Sequence, residues 1–200
     1  MSNVLVIAEV SGGELNASTA KAVTCGKEVG DVTVAVLSND GANASAAAAK
    51  LEGVSKVVTV DNAANENATA AALAPQIAAM AGDYSHVLVP NTTFGKDLTP
   101  RIAGLLGVPM VTDIMAVNGA NSFDRPIYAG NGIATVEVPA GIVVVGTVRC
   151  ASYAAAAETG SASVEAGSVS ADIPSHTRYV GLEGGGGGDR PDLQSAPKVV

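Results

Sequence analysis

The pattern of apolar and polar positions alternates between two periods along the first half of the chain. Short apolar runs at Val4–Val10, Asp31–Leu37, Lys56–Val60, His86–Val89 and Met110–Asp113 predict buried strands. Between them lie segments with helical spacing. These are an alanine-rich stretch from Ser18 to Val29, Ala46 to Leu51, and Ala68 to Ala81 with Leu73, Ile77 and Met80 on one face. A fourth, entered through Gly95-Lys96-Asp97, places Leu98, Ile102, Leu105 and Leu106 on one stripe, with Pro100 expected in its first turn and Gly107 and Pro109 ending it. Strand alternating with helix argues for right-handed crossovers and a parallel sheet covered on both faces.

The rhythm changes after Asp113. Ile114–Val117, Pro126–Tyr128, Ile133–Val138 and Gly141–Val148 are strand-like runs without helices between them, and Asn131-Gly132 and Ala140-Gly141 are candidate tight turns. They predict antiparallel hairpins added to the parallel sheet. The expected class is therefore α/β: an open, mostly parallel sheet with helices on both faces, extended by antiparallel strands in the C-terminal half. Ser161–Ser175 supports an edge strand or an exposed loop. Gly184–Gly188 followed by Asp189-Arg190-Pro191 has linker composition, which divides the chain into a domain over 1–183 and a linker with the opening of another strand over 184–200.

Composition narrows the chemistry. Alanine and valine dominate the apolar fraction and only 3% of the 200 residues are aromatic, so the core is expected to be built from small aliphatic side chains. A net charge of −8 without a basic cluster argues against nucleic acid. Apolar runs such as Ile142–Val145 are far too short to enter a bilayer, and the start carries neither a basic n-region nor an Arg-rich segment. Cys25 and Cys150 match no metal or redox spacing and read as small buried side chains of a reduced compartment. The sequons at Asn16, Asn43, Asn67 and Asn91 read as cap and turn chemistry.

Candidate chemistry concentrates in one turn. After His86–Val89 the sequence Pro90-Asn91-Thr92-Thr93-Phe94-Gly95-Lys96-Asp97 leads into a helix, where an open parallel sheet usually meets its ligands. Lys96, Asp97 and Arg101 make this either an anion or partner site or a well-capped helix with a solvated face. No dinucleotide glycine fingerprint follows the first strand, no phosphate-binding loop or nucleophile motif occurs, and His86 reads as a satisfied core or edge histidine.

Several stretches occur together in a telling order: Val6–Glu9; Phe94-Gly95-Lys96-Asp97-Leu98 with Pro100, Arg101 and Ala103; Thr112-Asp113-Ile114; Arg125–Asn131; Thr147-Val148-Arg149; and Arg190-Pro191-Asp192-Leu193. This ordered set resembles the alpha subunit of electron transfer flavoprotein across the whole chain. The resemblance implies a Rossmann-like, adenine-nucleotide-hydrolase-like first domain that serves as a scaffold. It pairs with a beta subunit that carries AMP, in a complex whose FAD accepts electrons from flavoprotein dehydrogenases such as acyl-CoA dehydrogenases and passes them to a membrane quinone reductase. It further implies a carrier subunit without catalytic residues of its own, placed in the bacterial cytoplasm or the mitochondrial matrix and serving fatty acid β-oxidation.

The sequence given ends at Val200, before the glycine-rich segment that would hold FAD, so no FAD contact is expected in it. Lys96, Arg101, Asp113, Arg125, Tyr128, Asn131 and Arg149 lie in the matching motifs and are the candidates for subunit or domain contacts, or else for hydrogen bonds internal to the fold. A stand-alone nucleotide-binding module and a purely interacting domain of the same fold remain alternatives.

Overall fold

The computed structural model describes residues 2–67, 69–181 and 183; the glycine-rich stretch, Arg190–Leu193 and Lys198–Val200 lie outside the described residues. In chain order the elements are β1 (Asn3–Ile7), β2 (Val10–Ser11), β3 (Glu14–Leu15), α1 (Ser18–Val29), β4 (Asp31–Ser38), α2 (Ala42–Ala49), β5 (Val54–Asp61) and α3 (Ala70–Met80). There follow β6 (His86–Pro90), α4 (Thr93–Leu106), β7 (Met110–Ile114), β8 (Ala116–Gly119), β9 (Ser122–Ile127), β10 (Gly132–Glu137), β11 (Val144–Val148) and β12 (Ser163–Ala166).

One seven-stranded sheet carries the fold, in the order β12-β5-β4-β1-β6-β11-β7, and every described pairing in it is parallel. From β1 the chain steps outward to β4 and β5, then crosses back to β6 on the other side of β1. That reversal moves the crossover helices to the opposite face. Ala22, Val23 and Cys25 of α1 and Ala44 and Ala48 of α2 pack in one core with Val4, Val6 and Val34. Leu73, Ala74 and Ile77 of α3 and Leu98 and Ile102 of α4 pack in the other with Leu5, Ile7 and Val87. The small side chains expected from composition let these helices lie close to the sheet.

Three local expectations are corrected. The first strand stops at Ile7, and Val10-Ser11 folds instead into a two-stranded antiparallel ribbon with Glu14-Leu15, turning on Gly12 and Gly13 at φ of +60° and +81°. The helix expected over Ala46–Leu51 begins earlier, at Ala42, and leaves Leu51 buried just beyond its end. Helix α4 begins at Thr93, with the Thr92 hydroxyl accepting from the Gly95 amide, so Pro100 stands well beyond the first turn. Its missing N–H leaves the Lys96 carbonyl without an intrahelical partner, and both residues are exposed, where water can satisfy that carbonyl.

Strand β11 is a fourth correction. Val144–Val148 is not a hairpin strand but lies between β6 and β7, parallel to both, with all five residues buried. Burial on two faces explains a continuous apolar run where a half-solvated hairpin would alternate. Gly146 permits the approach of its neighbours, since a Cβ there would fall 2.8 Å from Ile114 Cδ1. The antiparallel strands β8, β9 and β10 form their own three-stranded sheet, joined to β7 where the Met115 amide donates to the Asp124 carbonyl. Beyond β11 an extended strap crosses the helices. The amides of Ala156, Gly160 and Ala162 donate to the carbonyls of Ala20, Lys50 and Ala49 before β12 joins the sheet edge beside β5.

His86 is the satisfied core histidine the sequence suggested. Nδ1 lies 2.8 Å from the Ser85 hydroxyl, Nε2 meets the Ala120 carbonyl, and the ring stands edge-on to Phe123, so it links the two sheets. Burial pushes its pKa below the ordinary 6.5, outweighing the carbonyl contact that acts the other way. The unfolded chain therefore binds the proton more readily. His86 contributes full stability above its ordinary pKa and loses it as pH falls below that value. Urea midpoints taken from about pH 7.5 down to about pH 5 are expected to fall less steeply in His86→Gln than in the unmodified chain. Parallel curves would show that this ring is not among the groups that set the acid response.

Candidate functional site

The carboxyl ends of β1 and β6 form the crevice at which the strand order reverses, the place where open α/β sheets bind their ligands. Each strand ends in polar residues: Glu9 follows β1, and Asn91 and Thr92 follow β6. Glu9 is only 8% exposed. Its Oε2 accepts from the Ser18 hydroxyl at 2.9 Å and from the Thr92 hydroxyl at 2.8 Å, while its amide donates to Thr19 Oγ1 at 3.1 Å. One acidic side chain thus spans the starts of α1 and α4.

The same helix starts are capped from within. Asn16 Oδ1 accepts from the Ser18 amide and Thr92 Oγ1 from the Gly95 amide, which is the cap role expected of the Asn16 sequon. Gly95 is needed because a Cβ there would sit 1.9 Å from the Pro90 carbonyl oxygen; no other residue lets α4 begin this close to the strand. Above Glu9 lies an open cleft of about 330 Å3 lined by Asn16, Ala17, Ser18, Lys21, Thr92 and Cys150. The Cys150 thiol pKa is raised chiefly by burial, so it carries less thiolate than a free cysteine. Buried Cys25 is pushed up to about 12 by desolvation, and both cysteines are free thiols.

The seven candidate residues divide between the fold's interior and its surface. Asp113 Oδ2 and Arg149 Nη1 form an ion pair at 2.8 Å, Asn91 donates to the other Asp113 oxygen, and the Asp113 amide donates to Thr147 Oγ1. These contacts hold the ends of β6, β7 and β11 together and keep Asp113 at φ +59°, an uncommon backbone state for a residue with a Cβ. Arg125 Nε donates to the Thr112 carbonyl at 3.0 Å and ties the antiparallel sheet to β7. Arg101 is half-buried on α4, with its Nε turned inward without a hydrogen-bond partner among the described residues.

Lys96 and Tyr128 project outward. Lys96 is exposed on α4, and Tyr128 is 82% exposed at the tip of the antiparallel sheet. Tyr128, Ala129 and Gly130 hold positive φ in succession, steadied by the Asn131 side-chain amide donating to the Tyr128 carbonyl. Ile133, 62% exposed, stands on the adjoining strand β10. Thr92 was read from the sequence as a source of capping oxygens, and its hydroxyl does accept from the Gly95 amide; Glu9 and Thr147 stood only as members of the matching motifs and Ser18 only as a helix start, so none of the three was named as a site residue. The available signal was an acidic residue two positions beyond a buried strand.

Fold and site together define an open α/β domain of nucleotide-binding type with an acidic side chain of its own bound at the switch-point crevice. The electron transfer flavoprotein domain family matches residues 4–174, and the chain belongs to that family. It is 45% identical over 199 residues to the electron transfer flavoprotein subunit alpha of Pseudomonas aeruginosa and 42% identical over 198 residues to that of Paracoccus denitrificans. In each case 98% of this chain and 63% of the relative are covered. The mitochondrial subunit alpha of Arabidopsis thaliana is 31% identical over 214 residues, covering 99% of this chain and 59% of the relative. The chain thus spans less than two thirds of the length of these relatives.

The Asp113 cluster makes a direct prediction. Asp113→Ala removes the ion pair and the Asn91 contact while keeping a Cβ at positive φ, and is expected to cost about 2 kcal/mol in urea unfolding. Asp113→Gly loses the same contacts but tolerates the backbone, and is expected to recover about 1 kcal/mol of that loss. Equal losses would show that the backbone at this position is not strained.

Proposed function

We propose that this chain acts as the scaffold domain of an electron transfer flavoprotein alpha subunit, with a domain over 1–183 and a linker over 184–200. The observation that carries the reading is the similarity to two bacterial alpha subunits, which extends over 98% of the chain. Its partner in this reading is a beta subunit carrying AMP. The complex's FAD takes electrons from flavoprotein dehydrogenases, such as those of fatty acid β-oxidation, and yields them to a membrane quinone reductase. The chain contributes to an electron carrier in the bacterial cytoplasm or the mitochondrial matrix and performs no catalysis of its own.

The crevice residues do not fit a flavin pyrophosphate. An acidic group stands where the phosphates would approach, and the flanking helix starts are capped by Asn16 and Thr92. In this reading the FAD is therefore held outside the segment described here, and what the domain offers its partners is surface. The protruding Tyr128 turn with Ile133 beside it, and the exposed Lys96, are the contacts we assign to that role. We give Asp113, Arg125 and Arg149 the role of holding that surface in shape, a reading supported by their inward hydrogen bonds.

Association with a purified electron transfer flavoprotein beta subunit, followed by calorimetry, tests the reading. The chain is expected to form a complex, and Tyr128→Ala is expected to weaken it about tenfold or more, since exposed tyrosines are frequent anchors of interfaces, without moving the urea midpoint. Failure to associate would contradict the alpha-subunit reading. Association undiminished by Tyr128→Ala would place the contact elsewhere on the surface.

A further inference from the structure

We propose that Glu9 is an internal stand-in for a ligand's anionic group: its carboxyl oxygen holds, at the switch point, the place that a bound phosphate or carboxylate oxygen takes in ligand-binding sheets of this kind. The topology carries the first half of the argument. β1 and β6 are adjacent, their crossovers leave to opposite faces, and the space beyond their carboxyl ends lies between the starts of α1 and α4. Helix starts favour negative charge, and here the Ser18 and Thr92 hydroxyls stand in this space as the donors an anion would use.

The second half is what occupies it. Glu9 is nine-tenths buried, although acidic side chains are rarely so deep without partners, and its Oε2 receives a hydroxyl from each helix: Ser18 in the first turn of α1 and Thr92 capping α4. The backbone contributes a third tie through the Glu9 amide and Thr19 Oγ1. Two helix starts separated by more than seventy residues of sequence are thereby joined by one oxygen that the chain itself supplies. A ligand anion would satisfy the same hydroxyls. Because Glu9 already does so, these two hydroxyls need no ligand, and an incoming phosphate finds them taken by an acidic side chain, with Lys21 the basic residue lining the cleft beside them. The inference concerns this crevice alone and stands whether or not the alpha-subunit reading holds.

Chemical rescue tests it. Glu9→Ala empties the position, and its thermal midpoint is expected to rise by about 3 °C or more when inorganic phosphate, acetate or AMP replaces sodium chloride at equal ionic strength, while the unmodified chain shows no such rise. Equal responses of the two proteins, or no response of Glu9→Ala, would overturn the proposal. Should Glu9→Ala fail to fold, the unmodified chain supplies the test through its backbone amide spectrum during titration with inorganic phosphate. Unmoved amides at Ser18–Ala20 and Thr93–Gly95 are expected, and saturable shifts there would show that the crevice still accepts an anion and that Glu9 does not take its place.

Discussion

The hydrogen bonds that Glu9 receives from Ser18 and Thr92 set the arrangement of the whole carboxyl edge. They fix the starts of α1 and α4 against β1, and the fit of α4 then depends on Gly95 clearing the Pro90 carbonyl. Once α4 is seated, β6 presents Asn91 to Asp113, and Asp113 pairs with Arg149 at the end of β11. The edge is therefore a chain of short polar contacts laid across a sheet whose two faces are almost entirely aliphatic. Such contacts are worth more here than on an open surface, because each is at least partly removed from water.

The domain has the topology of a nucleotide binder, while its crevice has the chemistry of a structural joint. That contrast directs attention from the crevice to the surfaces around it. The antiparallel sheet offers Tyr128 on a turn of three consecutive positive-φ residues, a conformation held by the Asn131 side chain and not by burial. A backbone in so costly a state on an exposed tip is consistent with recognition by another surface. Family membership rests on the match over residues 4–174, which covers both the parallel sheet and this antiparallel extension.

Much of the fold was legible in the sequence for a simple reason. Val-rich runs and alanine-rich helical stretches alternate without ambiguity, and α1 and β7 fall where periodicity places them. Val144–Val148 was read as a strand but assigned the wrong neighbours, because a fully buried apolar run carries no record of which strands flank it. The site was harder. Asp113 and Arg149 were both noticed, yet their pairing exists only because β11 inserts beside β7. Glu9 passed as one letter in a motif, since its partner Thr92 is 83 positions away and no local pattern announces such a contact. Long-range polar joints are invisible to periodicity, whereas the elements they join are not.

Hydrogen–deuterium exchange of this chain, alone, with an electron transfer flavoprotein beta subunit and with AMP, tests most directly whether the domain works through its surface. The beta subunit is expected to slow exchange across the strands and turn from Ser122 to Glu137, and AMP to slow it nowhere. Slowed exchange with AMP at the starts of α1 and α4, together with no effect of the beta subunit, would contradict a surface role and return function to the crevice.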